Sequence, residues 1–391
     1  MDSSRPASEA PVKVMVVGDS MSHGREGDFT WRFRLWQWLR KEDVNFTFVG
    51  QFKGTFVPER PRLHPPPDFN PPVNHSGGYA QGVDFHSNHF SLWGEQTYQC
   101  RKLIGQQVKE YQPDYLLVML GFNDMAWGVG GSEDAICWMG ELVENARREK
   151  PDVRIALANV PQPTPKQGTD HLKEMVDRYN DLLEDSLLGW RRQCQTSPIE
   201  LVQVAETYIC TEASYDGVHP AALGEFQITK AFSRTLVKAF GVGNDELEVP
   251  SEIPERPISI PERITTKVRP YGFDVTWDAV YGARRYDLRM RVGGESTWLL
   301  ESEHDTNEAL LTSDEVPIED QTEYEFQVRT DNWVAQSGWS ATASATSRLH
   351  LSPGSEHVAM EPEPDTDFVF VHLRETGPEG HWDIDFHEVI I

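Results

Sequence analysis

The amino-acid sequence predicts an α/β domain, a parallel sheet with helices on both faces, followed by an all-β sandwich. Three observations lead there. Across residues 11–243 short apolar runs alternate with longer amphipathic stretches, the pattern of strand–helix–strand crossovers. From about Pro261 the apolar period becomes a strict alternation, as in half-buried strands. Between the two regimes, residues 244–257 are acidic and proline-rich, the composition of a linker. A chain of 391 residues also exceeds what one core organises. The expected division is an α/β domain at 11–243, a linker at 244–260, a sandwich at 261–350 and an acidic tail at 351–391.

The elements follow in order. Residues 12–17 are an apolar run stopped by Gly18, the signature of a buried parallel strand. Thr30 is placed to cap a helix over 31–41, where Trp31, Leu35 and Trp38 share a face. Residues 46–49, 115–120, 153–158 and 199–204 read as the next four strands, with helical patterns at 98–111, 132–149 and 171–193. An amphipathic helix over 221–240 closes the domain, and Gly241-Val242-Gly243 stops it. The prolines between Pro58 and Pro72 make that loop stiff, and it is a candidate wall of a substrate cleft. Beyond the linker, alternation at 273–277, 286–292, 297–300 and 324–329, broken by turn residues, predicts the sandwich. In the tail, 367–372 and 382–386 alternate like a hairpin.

Two blocks carry the chemistry. Gly18-Asp19-Ser20 ends the first strand, and Asp216-Gly217-Val218-His219 follows the last strand of the α/β domain. A serine nucleophile needs a base, and the base needs a group that fixes its tautomer and stabilises its positive charge. Ser20, His219 and Asp216 fill those roles, and a three-residue spacing lets one loop deliver both Asp216 and His219. Two more blocks lie between: Ser76-Gly77-Gly78-Tyr79, and Gly121-Phe122-Asn123-Asp124 after the 115–120 run. The amide of Ser20, a glycine amide at Gly78 and the side-chain amide of Asn123 suit the developing oxyanion of an acyl transfer. Taken singly, each block has an ordinary role as a turn, a helix cap or a positive-φ glycine. Their ordered placement at strand ends favours a catalytic site. The Gly-x-Ser-x-Gly elbow is absent. Asp19 is expected to shape the turn by local hydrogen bonding and joins Tyr79 and Trp127 as candidate substrate contacts; core packing is an equal reading for Trp127. His64, His75, His86 and His89 lack accompanying carboxylate or cysteine spacing and read as solvated loop histidines, so no metal is expected.

These blocks resemble the SGNH (GDSL-type) hydrolase family across residues 11–241, with Ser20, Gly78, Asn123 and His219 at its four named positions and Asp216 as the acid. Gly77 and Gly82 compete with Gly78 for the glycine. The resemblance implies a flavodoxin-like, three-layer α/β fold and a serine-dependent carboxylic ester hydrolase that works through an acyl-enzyme without a cofactor. The implied substrate is a small-molecule or carbohydrate ester, O-deacetylation included. An acyltransferase with the same triad is the alternative, with an alcohol or amine in place of water. A binding or adhesion protein with a dead hydrolase is the alternative of another class, and the filled catalytic positions weigh against it. The segments 275–280, 283–286 and 324–330, followed by Ser337-Gly338-Trp339-Ser340, resemble a fibronectin type III domain, in which Trp277 and Tyr324 are core and corner residues.

The formal net charge of −26 argues against nucleic acid or an anionic membrane surface as partner. No apolar stretch approaches membrane-spanning length, and residues 1–7 lack the apolar core of a signal peptide. Asn45 and Asn74 match the glycosylation pattern, and a glycan at Asn74 would crowd Gly78, which leans towards an intracellular protein, with secretion after removal of a signal peptide as the alternative. The four cysteines fit no zinc spacing and need not be disulfides, and the oligomeric state is open. Since every catalytic candidate precedes residue 220, a fragment ending near Pro250 is expected to keep activity on a small ester.

Overall fold

The structure is a computed structural model that describes residues 10–57, 77–165, 170–254 and 256–349, with the strand backbones 357–362, 369–374 and 384–385. Six strands build the first sheet: β1 (Val12–Gly18), β2 (Phe46–Phe48), β3 (Phe90–Ser91), β4 (Tyr115–Met119), β5 (Arg154–Ala158) and β6 (Ile199–Val202). All pairings are parallel, in the order β2-β1-β4-β5-β6, and β3 joins the last two residues of β1, Val17 to Phe90 and Gly18 to Ser91. The helices are α1 (Ser20–His23), α2 (Trp31–Lys41), α3 (Thr97–Tyr111), α4 (Phe122–Ala126), α5 (Ser132–Glu149), α6 (Asp170–Gln193), α7 (Cys210–Ala213) and α8 (Ala222–Phe240).

Strand periodicity decides the layers. Met15, Val17, Leu116 and Val118 point to one face, where they pack with residues of α3, α5 and α6. Val14, Val16, Leu117 and Met119 point to the other, against α2 and α8. The result is the expected three-layer, flavodoxin-like α/β arrangement. Its strand order reverses between β1 and β4, the place where open α/β sheets put their sites.

The second half forms a β-sandwich from β7 (Thr265–Arg269), β8 (Gly272–Thr276), β9 (Arg285–Val292), β10 (Leu300–His304), β11 (Glu308–Thr312), β12 (Glu323–Asp331) and β13 (Ala343–Thr346). One antiparallel sheet runs β11-β8-β7 and the other β10-β9-β12-β13. Trp277 and Tyr324 lie in the core between them, and the Tyr324 hydroxyl accepts the Glu319 amide at 2.8 Å. The tail contributes β14 (His357–Pro362), β15 (Val369–Arg374) and β16 (Ile384–Asp385), which pair antiparallel with one another.

The segment expected to be a plain linker is docked instead. Leu247 is buried with its amide on Ser233 Oγ at 2.9 Å, and Trp38 Nε1 donates to the Asp245 carbonyl at 2.9 Å. Arg256, only 8% exposed, reaches back into the α/β domain. The proline loop 58–72, His64, Asn74 and His75 lie outside the described residues.

Candidate active site

The site begins where β1 ends. Asp19 caps the single-turn helix α1, its Oδ1 accepting the Met21 amide at 2.9 Å. Ser20 therefore occupies the first helical position, where an N–H has no intrahelical acceptor. The buried Arg32 braces this turn by donating to the carbonyls of Ser22, His23, Gly54 and Ser87.

On the loop between α7 and α8, Gly217 takes φ 95°, a left-handed turn conformation that suits glycine. Asp216 closes the turn on itself: its Oδ1 accepts the backbone amides of Val218 (3.0 Å) and His219 (2.8 Å). Its Oδ2 lies 2.6 Å from His219 Nδ1. With Nδ1–H donating there, Nε2 is the free acceptor, and it lies 2.8 Å from Ser20 Oγ. Burial alone would raise the Asp216 carboxyl, but the hydrogen bonds and charge of His219 and the Val218 amide bring it down to about 2. It is a carboxylate at neutral pH.

Two rings hold the imidazole. Trp93 stacks on one side (centroids 4.6 Å, 18°) and Tyr215 lies stacked at 5.7 Å and 15°. Phe56 backs Trp93 at 4.8 Å, and Trp333 of the sandwich backs Tyr215 at 5.5 Å. Trp93 escaped the sequence reading because Ser91-Leu92-Trp93-Gly94 carries no periodic signal. Asn123 sits in the first turn of α4, and its Nδ2 donates to the Glu95 carbonyl at 2.9 Å, which leaves its second N–H for a ligand.

Residues 75–225 match the family model described as GDSL-like lipase/acylhydrolase. The match identifies a GDSL-like lipase/acylhydrolase domain within the chain, a domain of carboxylic ester hydrolases. The matched stretch includes Asn123, Asp216 and His219, while Ser20 precedes it. A family 3 carbohydrate esterase from Talaromyces cellulolyticus is 21% identical, with 59% of this chain and 98% of that chain covered and a TM-score of 0.46. A family 3 carbohydrate esterase from Clostridium thermocellum is 19% identical over 58% of this chain and 96% of its own, with a TM-score of 0.43. The psychrotrophic esterase EstA from Pseudoalteromonas sp. is 14% identical over 59% and 98%, with a TM-score of 0.39. No curated protein matches the sequence.

Gly78 lies against the sandwich. Its carbonyl accepts the Gly27 amide and Thr55 Oγ1, and a Cβ built on it would lie 2.4 Å from the Tyr281 hydroxyl of the sandwich. Gly77 pairs with Thr55, and Gly82 is an exposed turn residue. Gly94 is a further candidate. It follows β3, whose neighbour Leu92 donates to the Gly18 carbonyl at 3.1 Å. It also lies between Trp93, stacked on His219, and Glu95, whose carbonyl binds Asn123. Trp127 packs over Gly94, 2.8 Å from where a Cβ would stand. The Tyr79 ring lies against Phe85 at 4.7 Å and its hydroxyl donates to the Gly54 carbonyl.

Beneath the site, burial pushes the Asp19 carboxyl up to about 7 against the Met21 amide, and pushes Glu95 well above the carboxylate range. Burial also raises Asp124, whose oxygens accept the Thr97 and Tyr98 amides and so cap α3. His89 is buried and not solvated, its Nδ1 accepting the Ser91 amide at 3.1 Å. Among the described residues no group of three or more His, Cys, Asp and Glu could hold a metal ion, and no helix is long and apolar enough to cross a membrane.

Proposed function

We propose that the GDSL-like domain hydrolyses its ester through an acyl-enzyme on Ser20, with His219 as the base and Asp216 as its orienting acid. The observation that carries this is the unbroken line from Ser20 Oγ to His219 Nε2 (2.8 Å) and from His219 Nδ1 to Asp216 Oδ2 (2.6 Å). As Oγ attacks the ester carbonyl, its proton passes to Nε2 and the Asp216 carboxylate stabilises the imidazolium. In this reading the amides of Ser20 and Gly94 and the second N–H of Asn123 donate to the developing oxyanion, with Gly94 in the role expected of Gly78. Collapse of the tetrahedral adduct returns the proton to the leaving alkoxide, and water then repeats the sequence to release the acid.

The substrate class proposed is a small-molecule or carbohydrate ester. Trp333, 36% exposed beside the Tyr215–His219 stack, offers an aromatic surface that suits the flat apolar face of a sugar. Product analysis with and without acceptor alcohols separates hydrolysis from acyl transfer. The fibronectin type III resemblance extends to the sandwich, where Trp277 and Tyr324 do structural work. The test is Ser20→Ala against Ser22→Ala, since Ser22 is fully buried with its Oγ accepting Trp31 Nε1. Ser20→Ala loses about 10³-fold or more in turnover, the range for triad members, with folding intact. Ordinary turnover by folded Ser20→Ala contradicts the proposal.

A further inference from the structure

The geometry points to a catalytic site completed by the β-sandwich, with Trp333 as a positioning residue that holds Tyr215, and through it the Asp216–His219 turn. The inference rests on the role of His219 proposed above. Tyr215 is the residue just before Asp216, and its amide donates to the His219 carbonyl at 3.0 Å, so a shift of its ring moves the base. One side of that ring faces the imidazole, and Trp333 packs on it at 5.5 Å. Trp333 stands on the loop after β12 with φ 66°, a left-handed backbone that a bulky residue adopts only under constraint. The constraint is local: the Asp331 carboxylate takes the Trp333 amide, and Asn332 Oδ1 takes the amides of Val334 and Ala335. A tryptophan kept where glycine is easier, 36% exposed and packed on Tyr215, marks a side chain held for its contact.

The sandwich is fixed in place by charge. Buried Asp28 of the α/β domain binds Arg284 of the sandwich and, at 2.8 Å, Arg256 of the connecting segment. Arg256 also donates at 2.9 Å to Glu225 and to the carbonyl of Pro220, the residue after His219. Arg284 lies over the Tyr215 ring at 4.9 Å. The domain backbones touch at Gly27 and Gly282, where a Cβ on Gly27 would stand 2.6 Å from the Gly282 Cα. Tyr281 donates to the Tyr79 carbonyl at 2.6 Å. The turn carrying His219 is therefore gripped on its N-terminal side by Tyr215–Trp333 and on its C-terminal side by Pro220–Arg256.

The experiment compares Trp333→Gly, Trp333→Phe and Trp333→Leu with wild type and Ser20→Ala in the full-length protein, on p-nitrophenyl acetate, with melting temperatures alongside. Trp333→Gly relieves the backbone while deleting the ring, so the melting temperature holds or rises while kcat falls about tenfold or more, the scale of a misplaced catalytic group. KM changes little, because the ring acts on the base and not on this small substrate. Trp333→Phe, which keeps a stacking face, retains most of kcat. Wild-type kcat in folded Trp333→Gly overturns the inference. If Trp333→Gly melts lower, the other pair decides: Phe above Leu in kcat supports the aromatic contact, and equal values overturn it. Activity in Ser20→Ala instead removes the triad reading on which all of this rests.

Discussion

The indole of Trp93 lies 4.6 Å from the imidazole of His219 and nearly parallel to it. Its backbone amide is anchored separately, donating to His23 Nδ1 at 3.0 Å. When His219 takes the Ser20 proton it becomes an imidazolium facing the negative π-faces of Trp93 and Tyr215. Removing one face should cost about 1–2 kcal/mol of transition-state stabilisation, a factor of roughly five to thirty. Trp93→Ala is expected to lower kcat by that factor in steady-state assays, and Trp93→Phe by much less. An unchanged kcat in Trp93→Ala excludes this role for the ring.

Asn123→Ala should lower kcat about 10²–10³-fold, the range for loss of an oxyanion donor, with little change in KM. Gly78→Ala should instead reveal the contact with Tyr281, lowering the melting temperature while kcat falls far less than in Asn123→Ala. The reverse ordering of the two kcat losses returns the oxyanion role to Gly78.

Sequence alone carried the sheet and the long helices, and it singled out Ser20 and Asn123, where an apolar run meets a turn, and Asp216 and His219, three residues apart on one loop. Gly94, the glycine proposed here, stayed out of sight beside Gly78 for a physical reason. Gly78 follows a conspicuous proline loop, whereas Gly94 follows β3, two residues long and invisible to any periodicity. The short helices α1, α4 and α7 are single turns and show no amphipathic stripe. β13, Ala-Ser-Ala-Thr, offers little apolar contrast. Most distant from sequence reasoning was the interface. Asp28, Arg256 and Arg284 are spread over the whole chain, and 244–260 has linker composition while Asp245, Leu247 and Arg256 are held on the α/β domain.

That interface changes what truncation should do. A fragment ending at Pro250 keeps every residue of the Ser20–His219–Asp216 line but loses Arg256 and Arg284, leaving Asp28 and Glu225 buried with fewer cations. Breaking a buried ion pair from one side costs about 3–5 kcal/mol. The fragment, and Arg256→Ala in the full chain, should show a markedly lower denaturant midpoint than wild type. A fragment with the full-length midpoint means that the segment after 250 is a spacer after all.

Asp19 makes a prediction about pH. Its folded carboxyl titrates near 7 against an ordinary 3.8, chiefly through burial. A group whose folded value is raised disfavours its charged form in the folded state, so its contribution to stability falls as pH rises from about 4 to 7. The difference corresponds to at most about 4 kcal/mol. Asp19→Asn keeps an acceptor for the Met21 amide, so it should stabilise the protein at pH 8 relative to wild type and lose that advantage near pH 4. A melting difference independent of pH contradicts the raised carboxyl.

The most direct test of the account is to trap the covalent intermediate. Enzyme mixed with excess p-nitrophenyl acetate and quenched in acid within the first turnovers is digested and read by mass spectrometry. An acetyl group on Ser20, present in wild type, enriched in His219→Ala if deacylation slows more than acylation, and missing from Ser20→Ala, is the result predicted. Ester turnover with no acyl group on Ser20, or the same label on another residue of folded Ser20→Ala, contradicts it.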